Sequence, residues 1–362
     1  MKVVYVVGKD VSTSIALEVG SGINDKEVNF SVLAFKEKDK KKSENFDVRI
    51  VPIGANSFWD PEGVYVLWKY IRKENPDVVH VHRTTSGFWC AIISQLISEA
   101  KVVRTEHGNQ KSYTFFQNII HTITQIMSDY VVCNSYDTYE NTYPIQKKFV
   151  GDEWGVVYNG VDIDRISSAS HREPPSPIKK LESQFLVGSV GRLIDPKNYQ
   201  RLIQAFSLVL EDFPEAHLVL VGDGQNRSRL EREVRTLGLE GRVTFTGLLS
   251  RDDVFATLYH FDVYVMPSLW EGFCNAVVEA MAAGLPVVSS DISTLREVVG
   301  EVAVYVDPED PEDIARGIVN LLNEASEVLS ERGQACQERA VEQYSLEKTV
   351  EGYLSVYEKL TN

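Results

Sequence analysis

Short apolar runs alternate with helical patterns along most of this chain, and that alternation leaves few folds open. Residues 3–7, 29–35, 47–52, 77–81, 101–105, 130–134 and 155–158 read as strands, with helical patterns such as 63–73 and 87–99 between several of them. Strands separated by helices pair in parallel and bury both faces of their sheet. Residues 165–183 are too polar and proline-rich for a core. The alternation then restarts, with strands at 184–190, 217–221, 243–246 and 262–266 and helices at 198–211, 226–237 and 251–259. The expected architecture is α/β with two doubly wound domains, residues 1–165 and 184–344, joined by a linker at 166–183. A final segment, 345–362, carries Leu346, Val350, Tyr353, Leu354, Tyr357 and Leu360 at helical spacing.

A chain of 362 residues, 43% hydrophobic and 25% charged, is long enough for two cores. Its net charge of −15 argues against a nucleic-acid surface, so an anionic ligand has to be met by locally placed cations. Cys90, Cys133, Cys274 and Cys336 form no C-x-x-C pair, which suggests neither a zinc knuckle nor a disulfide framework. The opening apolar run is too short for a signal peptide, and no run approaches the ~18 apolar residues of a membrane span. A cytoplasmic protein is expected, with peripheral contact at the inner membrane face as the lesser expectation.

The chemistry concentrates in Pro267-Ser268-Leu269-Trp270-Glu271-Gly272-Phe273-Cys274-Asn275-Ala276-Val277-Val278-Glu279. Here a strand passes through a tight turn at Gly272 into a helix over 275–283, which stops at Gly284-Leu285-Pro286. Backbone N–H groups around Phe273, Cys274 and Asn275, at the positive end of that helix, suit a diphosphate. Glu271 and Glu279 can accept hydrogen bonds from the hydroxyls on either side of it. Arg192 and Lys197 follow the strand 184–190, at the sheet end where open α/β folds place ligands, and both residue types bind phosphate. The competing readings are ordinary: Arg192 paired with a carboxylate, Lys197 starting a solvated helix, Glu279 answering a nearby cation, and His107 or His82 serving a structural end.

In order, the chain also shows Thr105-Glu106-His107-Gly108, Asn134-Ser135, Asn159-Gly160-Val161-Asp162, Val190-Gly191-Arg192-Leu193 followed by Lys197, Leu220-Val221-Gly222-Asp223-Gly224, Val243-Thr244-Phe245-Thr246-Gly247 and Arg296-Glu297-Val298-Val299. With the two glutamates, this set resembles the retaining glycosyltransferases of family 4 (group 1), which have the GT-B fold. The resemblance implies two Rossmann-like domains facing each other across a cleft, with the last helix crossing back onto the first. It implies transfer of a sugar from a UDP-, GDP- or ADP-sugar to a glycan, lipid-linked or small-molecule acceptor, with retention of configuration and no metal or other cofactor. Arg192 and Lys197 then meet the diphosphate, Glu279 the ribose, and Glu271 with Gly272, Phe273, Cys274 and Asn275 the sugar and phosphates. Gly222, Gly224 and Leu248 lie near the base, and His107 contacts the donor sugar.

The chain departs from the family at three points. Gly8 stands alone where a Gly-Gly pair is usual, Asn198 replaces the glycine after the lysine, and Ser293-Thr294 stands where a second glycine pair is frequent. Asp162-Ile163-Asp164 has the form of a metal-binding D-x-D, but it follows a family turn and reads as a helix start capped by Asp164. A nucleotide-sugar epimerase and a catalytically impaired binding subunit are the rival functions. On the acceptor side, the basic run Lys36 to Lys42 reads as a solvated loop. Phe115, Phe116, Ile119, Ile120, Ile123 and Met127 read as a core face, with membrane contact as the minority expectation for both.

Overall fold

The computed structural model describes residues 1–8, 15–24, 26, 28–36, 48–82, 84–108, 114–179, 181 and 185–362. They form two compact units, Met1–Gly160 with Leu346–Asn362, and Val161–Ser345.

The first unit is built on β1 (Lys2–Val7), β2 (Asn29–Ala34), β3 (Arg49–Pro52), β4 (Val78–Val81), β5 (Lys101–Glu106), β6 (Tyr130–Cys133) and β7 (Trp154–Val156). All pair in parallel, in the order β3-β2-β1-β4-β5-β6-β7. Side chains alternate across the sheet as strand geometry requires. Val3, Tyr5 and Val7 pack with the helices Ile15–Asn24 and Leu346–Thr361, whereas Val4 and Val6 pack with Pro61–Glu74 and Thr84–Ile97. The C-terminal helix closes tightly here, because a Cβ on Gly22 would come within 2.8 Å of Val350. Tyr357 Oη lies 2.5 Å from His80 Nδ1, and Thr349 donates to the Tyr158 carbonyl at 2.9 Å.

Two features of this unit run against the usual arrangement of charge and polarity. Arg104 and Glu106, both on β5, are almost fully buried; Arg104 Nη2 lies 3.5 Å from Glu106 Oε2, and His121 contacts the same carboxylate. The helix Phe115–Ile126 is inverted, burying Ile120, His121, Thr124 and Gln125 while exposing Phe115, Phe116, Ile119, Ile123 and Ile126. The stripe read as a core face is therefore largely exposed, because the polar side of the helix packs on the buried Glu106 and on its neighbours. Of the basic run only Lys36 falls within the described residues, and of the shortened loop only Gly8, whose carbonyl accepts from Lys36 N at 2.9 Å.

The second unit contains β8 (Phe185–Val190), β9 (Ala216–Val221), β10 (Val243–Gly247), β11 (Val263–Met266), β12 (Val287–Ser290) and β13 (Val304–Val306). They are parallel, in the order β10-β9-β8-β11-β12-β13. The order reverses between β8 and β11, which pair through Val187 with Val263, and this is the switch point at which doubly wound sheets open a crevice for ligands.

The stretch read as a linker is not extended. It forms the helices Ile163–Ser168 and Ser176–Lys179 with a short 3-10 turn, Ala169–His171, between them. Ile166 and Ala169 are buried, and Arg165 and Arg172 both reach Asp252, at 2.8 and 2.9 Å, within the second unit. Asp162, rather than Asp164, caps the first of these helices, accepting from Arg165 N at 2.9 Å.

Candidate functional site

The loops after β8 and β11, the two strands at the switch point, carry the charged residues singled out in the sequence. Hydrogen bonds tie the loops into one surface: Leu269 N donates to the Pro196 carbonyl at 2.9 Å, and the Asn198 side-chain Nδ2 donates to the Pro267 and Pro308 carbonyls at 3.0 and 2.6 Å. Asn198 adopts the left-handed conformation, φ 56°. Asparagine tolerates that region as few other residues do, so it takes the place of glycine while its amide adds a lock that glycine lacks.

Lys197 and Glu271 meet across these loops, Nζ to Oε1 at 2.6 Å, and Ser268 Oγ donates to the same oxygen at 2.6 Å. Both charged side chains are nearly buried, 14% and 12% exposed. Burial opposes the charge on Lys197, but the Cys274 sulfur and the Glu271 carboxylate beside it hold its pKa above the ordinary lysine value. Burial pushes the Cys274 thiol itself up to about 12, so at neutral pH it is uncharged and Glu271 is the working counter-ion. Thr294 Oγ1 donates to the Glu271 carbonyl at 3.1 Å, a task that the glycine expected near this position could not perform.

The helix after β11 spans Asn275–Ala282, and Cys274 at its start holds φ 77°. The left-handed residue of the turn is thus Cys274; Gly272, expected to provide it, has no positive φ. Phe273 points inward and meets the Tyr344 ring edge-on at 5.5 Å. Glu279, about one turn into the helix, is buried and pairs through Oε1 with Arg251 Nη1 at 2.7 Å, which leaves Oε2 without a hydrogen bond among the described residues. Glu271 Oε2 is in the same position. Arg251 is the partner that the sequence reading missed; Ser250 caps its helix, Arg251–Leu258, directly after β10, which places the arginine at the ligand end of the sheet.

Burial raises the Glu279 pKa, while Arg251 and then Lys197 oppose the rise. The folded chain therefore binds a proton here more tightly than the unfolded chain, and stability falls as pH rises through that raised pKa. Glu279→Gln removes a carboxylate that is ionised at a cost. It is expected to raise the thermal midpoint of the ligand-free protein at neutral pH while weakening nucleotide binding, as melting curves with and without nucleotide would show.

The other sequence candidates take different places. Arg192 is exposed, with no ion pair among the described residues. Gly222 and Gly224 serve close backbone approach, since a Cβ on Gly222 would strike the Gly191 carbonyl and one on Gly224 would lie 2.5 Å from the Leu193 carbonyl. Leu248 is 81% exposed beyond β10. In the first unit, His107 Nε2 lies 2.7 Å from His82 Nδ1, and His82 stacks on Tyr5 with centroids 4.0 Å apart. No group of three or more potential metal-ligating side chains occurs among the described residues.

Comparison with known proteins extends over both units. Residues 172–342 match the family model of glycosyl transferases group 1, and residues 14–165 match that of glycosyltransferase family 4. An uncharacterized glycosyltransferase of Methanocaldococcus jannaschii is 26% identical over 64% of this chain, a match that spans 59% of that protein. The UDP-Gal:alpha-D-GlcNAc-diphosphoundecaprenol alpha-1,3-galactosyltransferase of Escherichia coli is 26% identical over 82% of this chain and 79% of its own. The crystal structure of Anabaena HepE with UDP and glucose superposes with a TM-score of 0.83 at 19% identity, covering 99% of this chain and 100% of that one. The parallel α/β units therefore belong to the GT-B fold, and the chain belongs to the group 1 glycosyltransferases of family 4.

Proposed function

We propose that this glycosyltransferase uses a UDP-sugar donor, held by the second unit, and transfers its sugar with retention of configuration to a lipid-linked glycan. One observation carries the donor reading. At the switch point a nearly buried ammonium stands with one buried and one nearly buried carboxylate, each keeping one oxygen unengaged among the described residues. Lys197 is placed to take a phosphate oxygen of the diphosphate, with exposed Arg192 as the second cation and Gly272, Phe273, Cys274 and Asn275 at the helix start. Glu279 Oε2 accepts from the ribose and Glu271 Oε2 from the sugar. The base lies toward Gly222, Gly224 and Leu248. Lys197 then stabilises the charge that grows on the leaving diphosphate, and no metal enters the scheme. His107 is assigned to the donor sugar on the family resemblance.

Uridine is favoured over guanosine and adenosine by the relative that uses UDP-Gal and by the fold neighbour crystallised with UDP. The diphosphoundecaprenol acceptor of that relative, together with the exposed apolar helix, supports a lipid-linked acceptor. Thermal denaturation with UDP, GDP or ADP tests the donor. UDP at about 100 times its Kd is expected to stabilise the protein by about 2.7 kcal/mol. An equal or larger shift with GDP or ADP, or a UDP shift that persists in Glu279→Ala, would refute this assignment. The anomeric configuration of the product, read by NMR coupling constants, tests retention.

A further inference from the structure

The inverted helix Phe115–Ile126 asks for an apolar covering. Phe115 is 82% and Phe116 54% exposed, and Ile119, Ile123 and Ile126 stand out beside them. The helix Pro144–Val150 packs alongside, joined by Gln146 Nε2 donating to Thr122 Oγ1 at 2.7 Å, and adds exposed Ile145 and Phe149. On its other flank the helix Thr84–Ile97 adds exposed Leu96 near its end. Soluble proteins rarely expose apolar side chains at this density unless the patch binds something.

We propose that this face of the first unit docks on the surface of a lipid bilayer. The proposal deepens the reading of a lipid-linked acceptor and rests on it. Charge favours a bilayer over a second copy of the chain. The helix Phe115–Ile126 contains no Asp, Glu, Lys or Arg, and the only charges on its neighbour Pro144–Val150 are Lys147 and Lys148, in a chain of net charge −15. A second copy joined through the same face would set these lysines against the same lysines, whereas the phosphates of a bilayer complement them. Lys147 is paired with Glu140 at 3.1 Å, and because fields from distant carboxylates fade beyond about 8 Å in physiological salt, exposed Lys148 is the cation that meets phosphate headgroups. At ~1.5 Å per residue the helix is about 18 Å long, too short to cross a ~30 Å hydrocarbon core. It lies in the interface, with Phe and Ile side chains among the upper acyl segments, while His121, Thr124 and Gln125 stay packed on the protein.

Co-sedimentation with phosphatidylcholine vesicles, and with vesicles of phosphatidylethanolamine and phosphatidylglycerol, tests the proposal on the full chain. The wild type is expected to pellet with both, and more with the anionic ones. Phe115→Ser with Phe116→Ser, at exposed positions that leave the core intact, is expected to lower the partition at least about tenfold. Val341→Ser, exposed in the second unit, is the control and should bind as the wild type does. The proposal is overturned if the wild type stays in the supernatant with both vesicle types. It is also overturned if the double variant pellets as well as the wild type, or if the wild type is a dimer by light scattering that the double variant turns into a monomer. The UDP-induced thermal shift, measured without vesicles, keeps the outcomes apart. A normal shift without vesicle binding sinks only the docking, and vesicle binding without a shift sinks only the donor assignment.

Discussion

Lys197→Ala lowers turnover of the UDP-sugar by about two to three orders of magnitude, the usual effect of removing one group that stabilises charge in a transition state. The loss falls mainly on kcat, because the ammonium acts most strongly once the glycosidic bond lengthens and the diphosphate gains charge. The variant leaves the nearly buried Glu271 carboxylate without its cation, at some cost in stability, but Glu271 keeps the Ser268 hydrogen bond and Asn198 still locks the loops together. UDP release from UDP-glucose, UDP-galactose and UDP-N-acetylglucosamine, with circular dichroism as the check on folding, measures it. A folded variant that retains more than about a tenth of wild-type kcat would show that Lys197 does not stabilise the leaving group.

Glu106→Ala destabilises the first unit by about 3–5 kcal/mol, because it strands the Arg104 guanidinium in the interior. Burial opposes ionisation of Glu106, yet His121 and Arg104 outweigh it, and its pKa falls from 4.5 to about 2. His121 is itself pushed down, by burial first and Arg104 second, so at neutral pH the ring is neutral and Arg104 carries the countercharge. The stabilisation from Glu106 is complete above its unfolded pKa and disappears as pH falls from 4.5 towards 2. The depressed pKa values of His80, His82 and His121 act in the same direction, beginning just below their ordinary 6.5. The first unit should therefore soften on acidification well before its carboxylates are protonated. Two units need not unfold together, so the measurement needs a local probe. Four of the five tryptophans lie in the first unit, and in a Trp270→Phe background denaturant curves followed by fluorescence report on that unit alone.

The alternation of apolar runs and helices was legible because both are local patterns. The expected strand 3–7 is observed as Lys2–Val7, 217–221 as Ala216–Val221, and the helix 275–283 as Asn275–Ala282. Departures at single residues were legible only as departures. Asn198 and Thr294 each replace an expected glycine and each make a hydrogen bond to a carbonyl more than twenty residues away. Nothing in the neighbouring sequence announces such a partner. The misread linker has the same origin, since serines and prolines open short helices as readily as they fill loops, and only Asp252 shows which unit holds Arg165 and Arg172.

By itself, then, the order of residues determined the two parallel α/β units, the strand ends that carry Lys197 and Glu271, and the family. Local periodicity and motif order are properties of the chain, and they survive without knowledge of what lies opposite. Tertiary structure alone decided that Arg251 answers Glu279, that Cys274 rather than Gly272 bends the turn, and that the face of Phe115 and Phe116 looks outward. An amphipathic helix has two faces in its sequence, but which one is buried depends on the surface it meets. Here that surface holds the buried carboxylate of Glu106, so the polar face was drawn inward and the apolar face left out.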